Sequence, residues 1–584
     1  MRIARIGRSV LVAGLLLTLT GGLMACQGPE TGPKAEPPKE EGATGGVTET
    51  SGAAMTETKG AAPAGNVLRI GLAVWPDTLN PQKSSFSNEL AVLGQNYEGL
   101  TALDAQLKTV PGSAEKWEYN ADATVVTFTL RDNLTYSDGS PLTATDFVSA
   151  VQRTLDPTNP GDYQTSIDMI KGADAIINTS VPTDSAKLPD LKSKLGVSAP
   201  DPKTVVFQLT KPTPYFHTLA TLWIMYPAKQ SLIDKGGEQW YEDPANQIGN
   251  GKWQMTVYDK GKNLIEFKPN EHYWRGRVKL DGLQLKYIDD LAVALQAYKS
   301  GEIDIITPDP NDLPSIKADP VLGKEYKEYP GACTEVYEFN LTKAPFDKKE
   351  VREAFAYAFD RKTYIADALK DSSVATLTWI PPGYPGYDAS ETRYDFNPDK
   401  AKATLAAAGY PGGKGLPEVK ISYSSNNPAN QARAEYLIAM YQKNLGVTIS
   451  ADPVEGTTLV AMRKSVETHP QMNGGGWCAD YPDPQNWLSI YWNSNTNFAK
   501  NVGYKNAEAD KLMDAADVDT DETDRMKKYD EAQKMILGDS AQIIRSNSKN
   551  YFLIKSYVKG LEFTPQDSEL PGQAVSLQNV TIQR

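Results

Sequence analysis

Cysteine and histidine are almost missing from this chain, at three of each in 584 residues. His217, His272 and His469 share no metal-ligand spacing. HExxH, CxxC, a Walker A loop, GxSxG and a GxGxxG after a strand are all absent. The common zinc, nucleotide and serine-hydrolase sites are thereby removed, and no cofactor or metal is expected. Basic charge is also short. Lys and Arg number 60 against 73 acids, a net −13, with no basic run beyond the extreme N-terminus. That charge excludes nucleic acid and anionic lipid as partners of the folded part.

Long apolar runs are missing too, apart from residues 10–19. This run follows Arg2, Arg5 and Arg8 and is too short for a comfortable membrane span. It reads as the h-region of a signal peptide over residues 1–25. The segment ends in Leu23-Met24-Ala25-Cys26, which resembles a bacterial lipobox. The resemblance implies cleavage before Cys26 and lipidation of its thiol, leaving a folded domain anchored outside the cytoplasmic membrane, facing the periplasm or cell exterior. Residues 27–65 contain no aromatic, Leu or Ile. Such a stretch cannot bury enough apolar surface to offset its ordering entropy, so 26–65 is expected to be a lipidated tether.

What is present in quantity is aromatic surface, with 29 Tyr and 10 Trp, side chains suited to binding. The length calls for two or more domains. In VLRIGL, TVVTFTL, TVVFQL and LIEFKPN, apolar and polar residues alternate as in half-buried strands. LDGLQLKYI reads as an edge-like strand, and GEIDI as a turn and strand. Thr143 with Asp146 three residues on predicts a capped helix start. A helix beginning near Lys349 is read through Asp360 and Arg361, and Asn397 and Gly409 bracket another. The acids of GEIDI and of SDG (137–139) are expected in turns and caps. Strands alternating with helices argue for α/β lobes.

One stretch stands apart, GGGWCADYPDP (474–484), read as a Gly/Pro-rich loop. Cys478 there could be a nucleophile, a metal ligand, a disulfide partner or part of a ligand clamp. A nucleophile wants a His base, and His469 is near in sequence. A metal wants three or four convergent ligands, and the loop offers only Cys478 and Asp480. With Cys26 lipidated, two cysteines remain in an oxidising compartment, and pairing Cys333 with Cys478 is the default. That bridge would be worth about 3–5 kcal/mol in the chain-entropy model.

The segment TFTLRDNLTYSDGSPLTATDFVSAVQRTLDP resembles the signature of the family 5 extracellular solute-binding proteins, with Tyr136 where Trp is usual. TLNP, YEGLT, FKPNEHYWRG, AYKSGEIDI, APFDKKEVREAFAYAFDRK, AKATLAAAGYP, KNLGV and GWCADYPDP extend the match over nearly all of 66–584. The resemblance implies a type II periplasmic-binding-protein fold, two α/β lobes with a hinge, plus an extra domain. Its expected boundaries are lobe I at 66–100, 239–332 and 546–584, the extra domain at 101–238, and lobe II at 333–545.

A non-enzymatic, monomeric peptide receptor for an ABC importer is the implied function, with oligopeptide and permease as partners. Carried over residue by residue, Asp480 pairs the peptide α-ammonium and Trp477 walls a side-chain pocket. Cys478 offers backbone contacts while its sulfur bonds Cys333. Arg463, Tyr163, Ser85, Ser87 and Asn430 fall at further ligand-facing positions. One departure concerns the peptide carboxylate: where members often carry an arginine shortly before GW, this chain has Asn473-Gly474-Gly475. The alternatives are a receptor of the same fold for a dipeptide, sugar, nickel chelate or haem, and a thiol hydrolase using Cys478.

Overall fold

The computed structural model describes residues 65–573, 575 and 577–584. The signal segment, Cys26 and nearly all of the tether lie outside the described residues.

Eleven strands build one large sheet. In chain order they are β1 Val67–Leu72, β2 Trp253–Asp259, β3 Leu264–Pro269, β4 Gly282–Tyr287, β5 Ile305–Ile306 and β6 Tyr326–Phe339. Then follow β7 Ser373–Ala375, β8 Val419–Ser424, β9 Ile449–Val454, β10 Met472–Cys478 and β11 Gln542–Ile554. The order is β9-β8-β10-β6-β11-β5-β1-β4-β3-β2, with β7 pairing β11 off this path. Parallel pairs (β1 with β4 and β5, β8 with β9 and β10) sit among antiparallel ones, the mixed sheet of a type II periplasmic-binding-protein fold. A separate four-stranded sheet is made by Ala114–Tyr119, Val125–Leu130, Thr204–Gln208 and Val197–Asp201. It lies within the 101–238 segment assigned to the extra domain.

β6 and β11 are the long members, at 14 and 13 residues. Tyr326–Pro330 of β6 pairs Lys549–Leu553 of β11, the register shifts, and pairing resumes at Thr334 opposite Asn547. The expected boundaries at 332/333 and 545/546 therefore fall inside these two strands. Bulges of this kind bend a strand and re-aim its side chains. On its other side β6 pairs β10 in unbroken register, which sets Cys333 opposite Cys478, with Cα atoms 4.0 Å apart and the sulfurs bonded.

Local chemistry explains most elements. Asp146 accepts from the Thr143 backbone N–H (2.8 Å) and hydroxyl (3.0 Å), fixing the start of helix Ala144–Leu155. Asn397 Oδ1 accepts from the Lys400 N–H at 2.9 Å, and Gly409 at φ +97° lets the chain leave the same helix.

Four readings from sequence are corrected. LDGLQLKYI is interior, because β4 pairs β1 on one side and β3 on the other. The helix from Lys349 ends at Ala358. Asp360 turns extended and caps a new turn by accepting from the Thr363 N–H. Asp304 of GEIDI is no turn acid: it is fully buried and bidentate with Arg69 at 2.6 and 2.9 Å, tying β1 to the 301–306 turn.

The fourth concerns the glycine run, which is strand β10 rather than loop. A Cβ on Gly475 would come within 2.1 Å of the Glu338 carboxylate. The missing side chains leave room for a buried acid from the neighbouring strand, which outweighs glycine's poor strand propensity.

Candidate functional site

A cavity of about 410 Å³ opens beside the β6–β10 disulfide, within the size range of small-ligand sites. Cys333, Cys478 and Asp480 form one part of its wall, and Tyr163 and Trp223 another. Ser85 and Ser87 line it at the start of helix Ser87–Asn96, and Lys252, Tyr273 and Arg275 also face it.

The position of Asp480 follows from what precedes it. β10 ends at Cys478, and the Ala479 N–H extends the ladder by one bond to the Ala332 carbonyl at 3.0 Å. Asn486 then holds the turn. Its Oδ1 accepts from the Asp480 N–H (3.1 Å) and from the Trp477 indole (3.2 Å), and its Nδ2 donates to Asp480 Oδ2 (2.9 Å). Tyr163 Oη donates to Oδ1 at 3.0 Å. Each carboxylate oxygen thus meets one neutral donor, and among the described residues Asp480 forms no ion pair. Burial raises its pKa above the ordinary carboxylate value, only partly opposed by the bonds from Asn486 and Tyr163. Asp483, three residues on, is answered differently: Arg525 grips it bidentately at 2.5 and 2.9 Å.

The sequence candidates divide. Asp480, Tyr163, Cys478, Ser85 and Ser87 come together on this cavity. The Ser85 N–H is already committed to the buried Glu89 carboxylate (2.8 Å), and the Ser87 hydroxyl donates to Glu569 (2.6 Å). Trp477 packs against Tyr491 and Phe498 and does not line the cavity.

Arg463 is drawn off by Glu338, both of whose oxygens lie 3.1 Å from its Nη2. Glu338 also accepts from Asn473 (2.9 Å) and Tyr491 (2.8 Å). Asn430 sits in the first turn of helix Pro428–Leu445 and donates to the Ser424 carbonyl, away from the cavity. Trp477, Arg463 and Asn430 thus bond within the protein and do not line this cavity, unlike the other five. Asn486 and Lys252 were missed. No local pattern marks Asn486, and Lys252 looks like any surface lysine until the fold buries it. Cys478 holds its sulfur in the disulfide, so the structure presents no thiol there, and the described residues contain no cluster of three metal-ligating side chains.

These features make the cavity a candidate ligand-binding cleft in a two-lobed α/β protein. The chain matches the model for bacterial extracellular solute-binding proteins, family 5, over residues 108–500, and it belongs to that family. The oligopeptide-binding protein OppA of Bacillus subtilis (strain 168) is 28% identical over 505 residues, covering 84% of this chain and 88% of that protein. Among solved structures, the unliganded open form of the periplasmic murein tripeptide-binding protein MppA superposes with a TM-score of 0.75 at 26% identity. It covers 89% of this chain and 99% of its own. OppA of Haemophilus influenzae in complex with the peptide RPPGFSPFR gives 0.68, also at 26% identity and the same coverage. The family is described as extracellular and the MppA relative as periplasmic, and no described helix of this chain is long and apolar enough to cross a membrane.

Proposed function

We propose that this protein is a lipid-anchored, extracytoplasmic receptor that captures oligopeptides between two closing lobes and passes them to an ABC permease, with Cys26 carrying the anchor. Asp480 pairs the peptide α-ammonium. The observation that carries this reading is a half-buried carboxylate on a cavity wall with neutral donors only. Such a charge is costly without a cation, and a ligand ammonium supplies one in a low-dielectric site. Tyr163 orients the acid, and Ser85 and Cys478 border the peptide main chain. Most of the affinity comes from main-chain and terminal contacts, while hydrated pockets accept varied side chains.

Isothermal titration with tri- to pentapeptides, free and N-acetylated, tests it. Free peptides should bind and acetylated ones should lose about two orders of magnitude, the cost of leaving the carboxylate unpaired once the ligand covers it. Equal affinity for the two would remove Asp480 from the role. Intact mass spectrometry of copurifying cargo supplies the complementary check, and a sugar, haem or nickel chelate there would favour the other solute classes.

A further inference from the structure

The cavity wall carries a second charged group, unrelated to Asp480. Lys252 and Arg275 both line it. Lys252 precedes β2 in the sequence GNGKW, and the flanking glycines press on the end of helix Ser87–Asn96. A Cβ at Gly249 would sit 1.9 Å from the Asn96 carbonyl oxygen, and one at Gly251 would lie 2.7 Å from the Asn96 carbonyl carbon. The Lys252 backbone is therefore fixed, and its side chain is 7% exposed. Its Nζ donates to the Gly94 carbonyl at 2.9 Å, the one hydrogen bond it makes, and among the described residues it forms no ion pair.

The acid nearest to this pair is already engaged. Glu98 accepts from the Tyr273 hydroxyl at 2.7 Å and the Trp274 indole at 2.5 Å, with Arg275 at 3.7 Å. Arg275 donates to the Pro111 carbonyl at 3.0 Å and is otherwise exposed. Arg131 adds a further cation, 3.5 Å over the Trp274 ring. Glu98 thus acts on three cations at once, Lys252, Arg131 and Arg275. Burial lowers the Lys252 pKa to about 8, which leaves the ammonium mostly charged at neutral pH. A buried ammonium with one neutral hydrogen-bond acceptor is costly, and Glu98 offsets that cost without bonding it.

We propose that Lys252 and Arg275 form a carboxylate subsite of the binding cavity, so that the ligand is read at two charges, an ammonium at Asp480 and a carboxylate at this basic wall. This rests on the peptide-receptor reading and specifies its substrate class. The carboxylate comes from the C-terminus of a short peptide or from an Asp or Glu side chain of a longer one.

Titration calorimetry with two matched pairs separates these sources: tri-alanine against its C-terminal amide, and Ala-Glu-Ala amide against Ala-Gln-Ala amide. Wild-type protein should prefer the carboxylate member of at least one pair by about tenfold or more, as charge-assisted pairing requires. In Lys252→Met and in Arg275→Gln that ratio should fall toward one, while the penalty for N-acetylation stays unchanged. Lys252→Arg should keep most of the preference. Arg275 is exposed, so Arg275→Gln retains the test if Lys252→Met melts early. Ratios near one in the wild type, or ratios that survive in both variants, overturn the subsite. If acetylation costs affinity while both ratios are near one, the receptor reading stands and the subsite alone falls. If no peptide binds, both fall.

Discussion

Tyr163 and Asp480, 317 residues apart in sequence, meet at 3.0 Å, the phenol donating to Oδ1. The tyrosine comes from the 101–238 segment and the acid from the turn after β10, so the bond joins two distant parts of the chain at the cavity wall. Burial, with Asp480 alongside, pushes the Tyr163 pKa up, and the phenol stays a donor throughout the working pH range. Replacing it, Tyr163→Phe, strips one donor from the carboxylate without opening space. Peptide affinity by calorimetry should fall about three- to tenfold, the worth of a single hydrogen bond. Unchanged affinity would reduce the tyrosine to a packing role.

Asp480→Asn removes the charge and keeps the shape. We expect a loss of about two orders of magnitude or more for free peptides, in line with other buried charge pairs. Coupling is the sharper readout. Acetylating the peptide should cost the wild type heavily and the variant almost nothing, since one partner is already gone. Additive penalties would mean the two groups do not meet.

The raised pKa of Asp480 has consequences of opposite sign for the empty and the loaded protein. A carboxyl whose folded pKa lies above its unfolded value binds protons more tightly when folded. It destabilises the empty protein at neutral pH, and that penalty fades as pH falls through the folded pKa. Unliganded Asp480→Asn should therefore melt above wild type at pH 7, with the gap closing on acidification. Peptide binding needs the charged form and weakens over the same window. There it releases a proton from Asp480, visible as a dependence of calorimetric heat on the buffer's ionisation enthalpy. Absence of both effects would place the acid in an ordinary solvated setting.

Much of this was legible in the sequence. Alternation marked β1 and β3, Thr143–Asp146 and Asn397 marked helix starts, and the GWCADYPDP motif marked the acid. What was not legible depended on neighbours distant in the chain. The glycine run looks like a loop until Glu338 of β6 is seen filling the space its side chains would occupy. Arg463 falls at a ligand-facing position by family resemblance, yet the same buried Glu338 claims its guanidinium. Lys252 reads as a surface charge, and two glycine contacts with Asn96 hold it inside. A buried charge acquires its meaning from its partner, and local pattern does not name the partner.

The Cys333–Cys478 bridge closes a separation of 145 residues. Replacing both by serine should cost about 2–5 kcal/mol of stability, most of it from a freer unfolded chain, measured by urea unfolding under two-state conditions. Peptide affinity should fall as well, because Asp480 hangs two residues beyond the bridge. In the native protein neither cysteine should react with iodoacetamide before reduction. Labelling at Cys478 without reduction would reopen the thiol-hydrolase reading.

Asn486 is the residue whose importance only the fold reveals. It is buried, and its amide serves three groups at once: the Asp480 N–H, the Asp480 carboxylate and the Trp477 indole. Truncation to Ala leaves a backbone donor and an indole donor without their acceptor, and the carboxylate with Tyr163 alone. Unsatisfied buried donors cost about 1–3 kcal/mol each, so Asn486→Ala should lower stability by about 2–4 kcal/mol. The acid should also lose its fixed aim, and peptide affinity should drop by tenfold or more. Asn486→Asp distinguishes the two roles. It keeps the acceptor for the backbone and indole but places a second carboxylate 2.9 Å from Asp480, where two like charges resist joint ionisation. Asn486→Asp should therefore retain more stability than Asn486→Ala when both are compared below neutral pH. Its peptide affinity should depend more steeply on pH than that of the wild type, as the shared proton must leave before an ammonium can pair. Equal pH profiles for the two proteins would show that Asn486 holds the turn without tuning the acid.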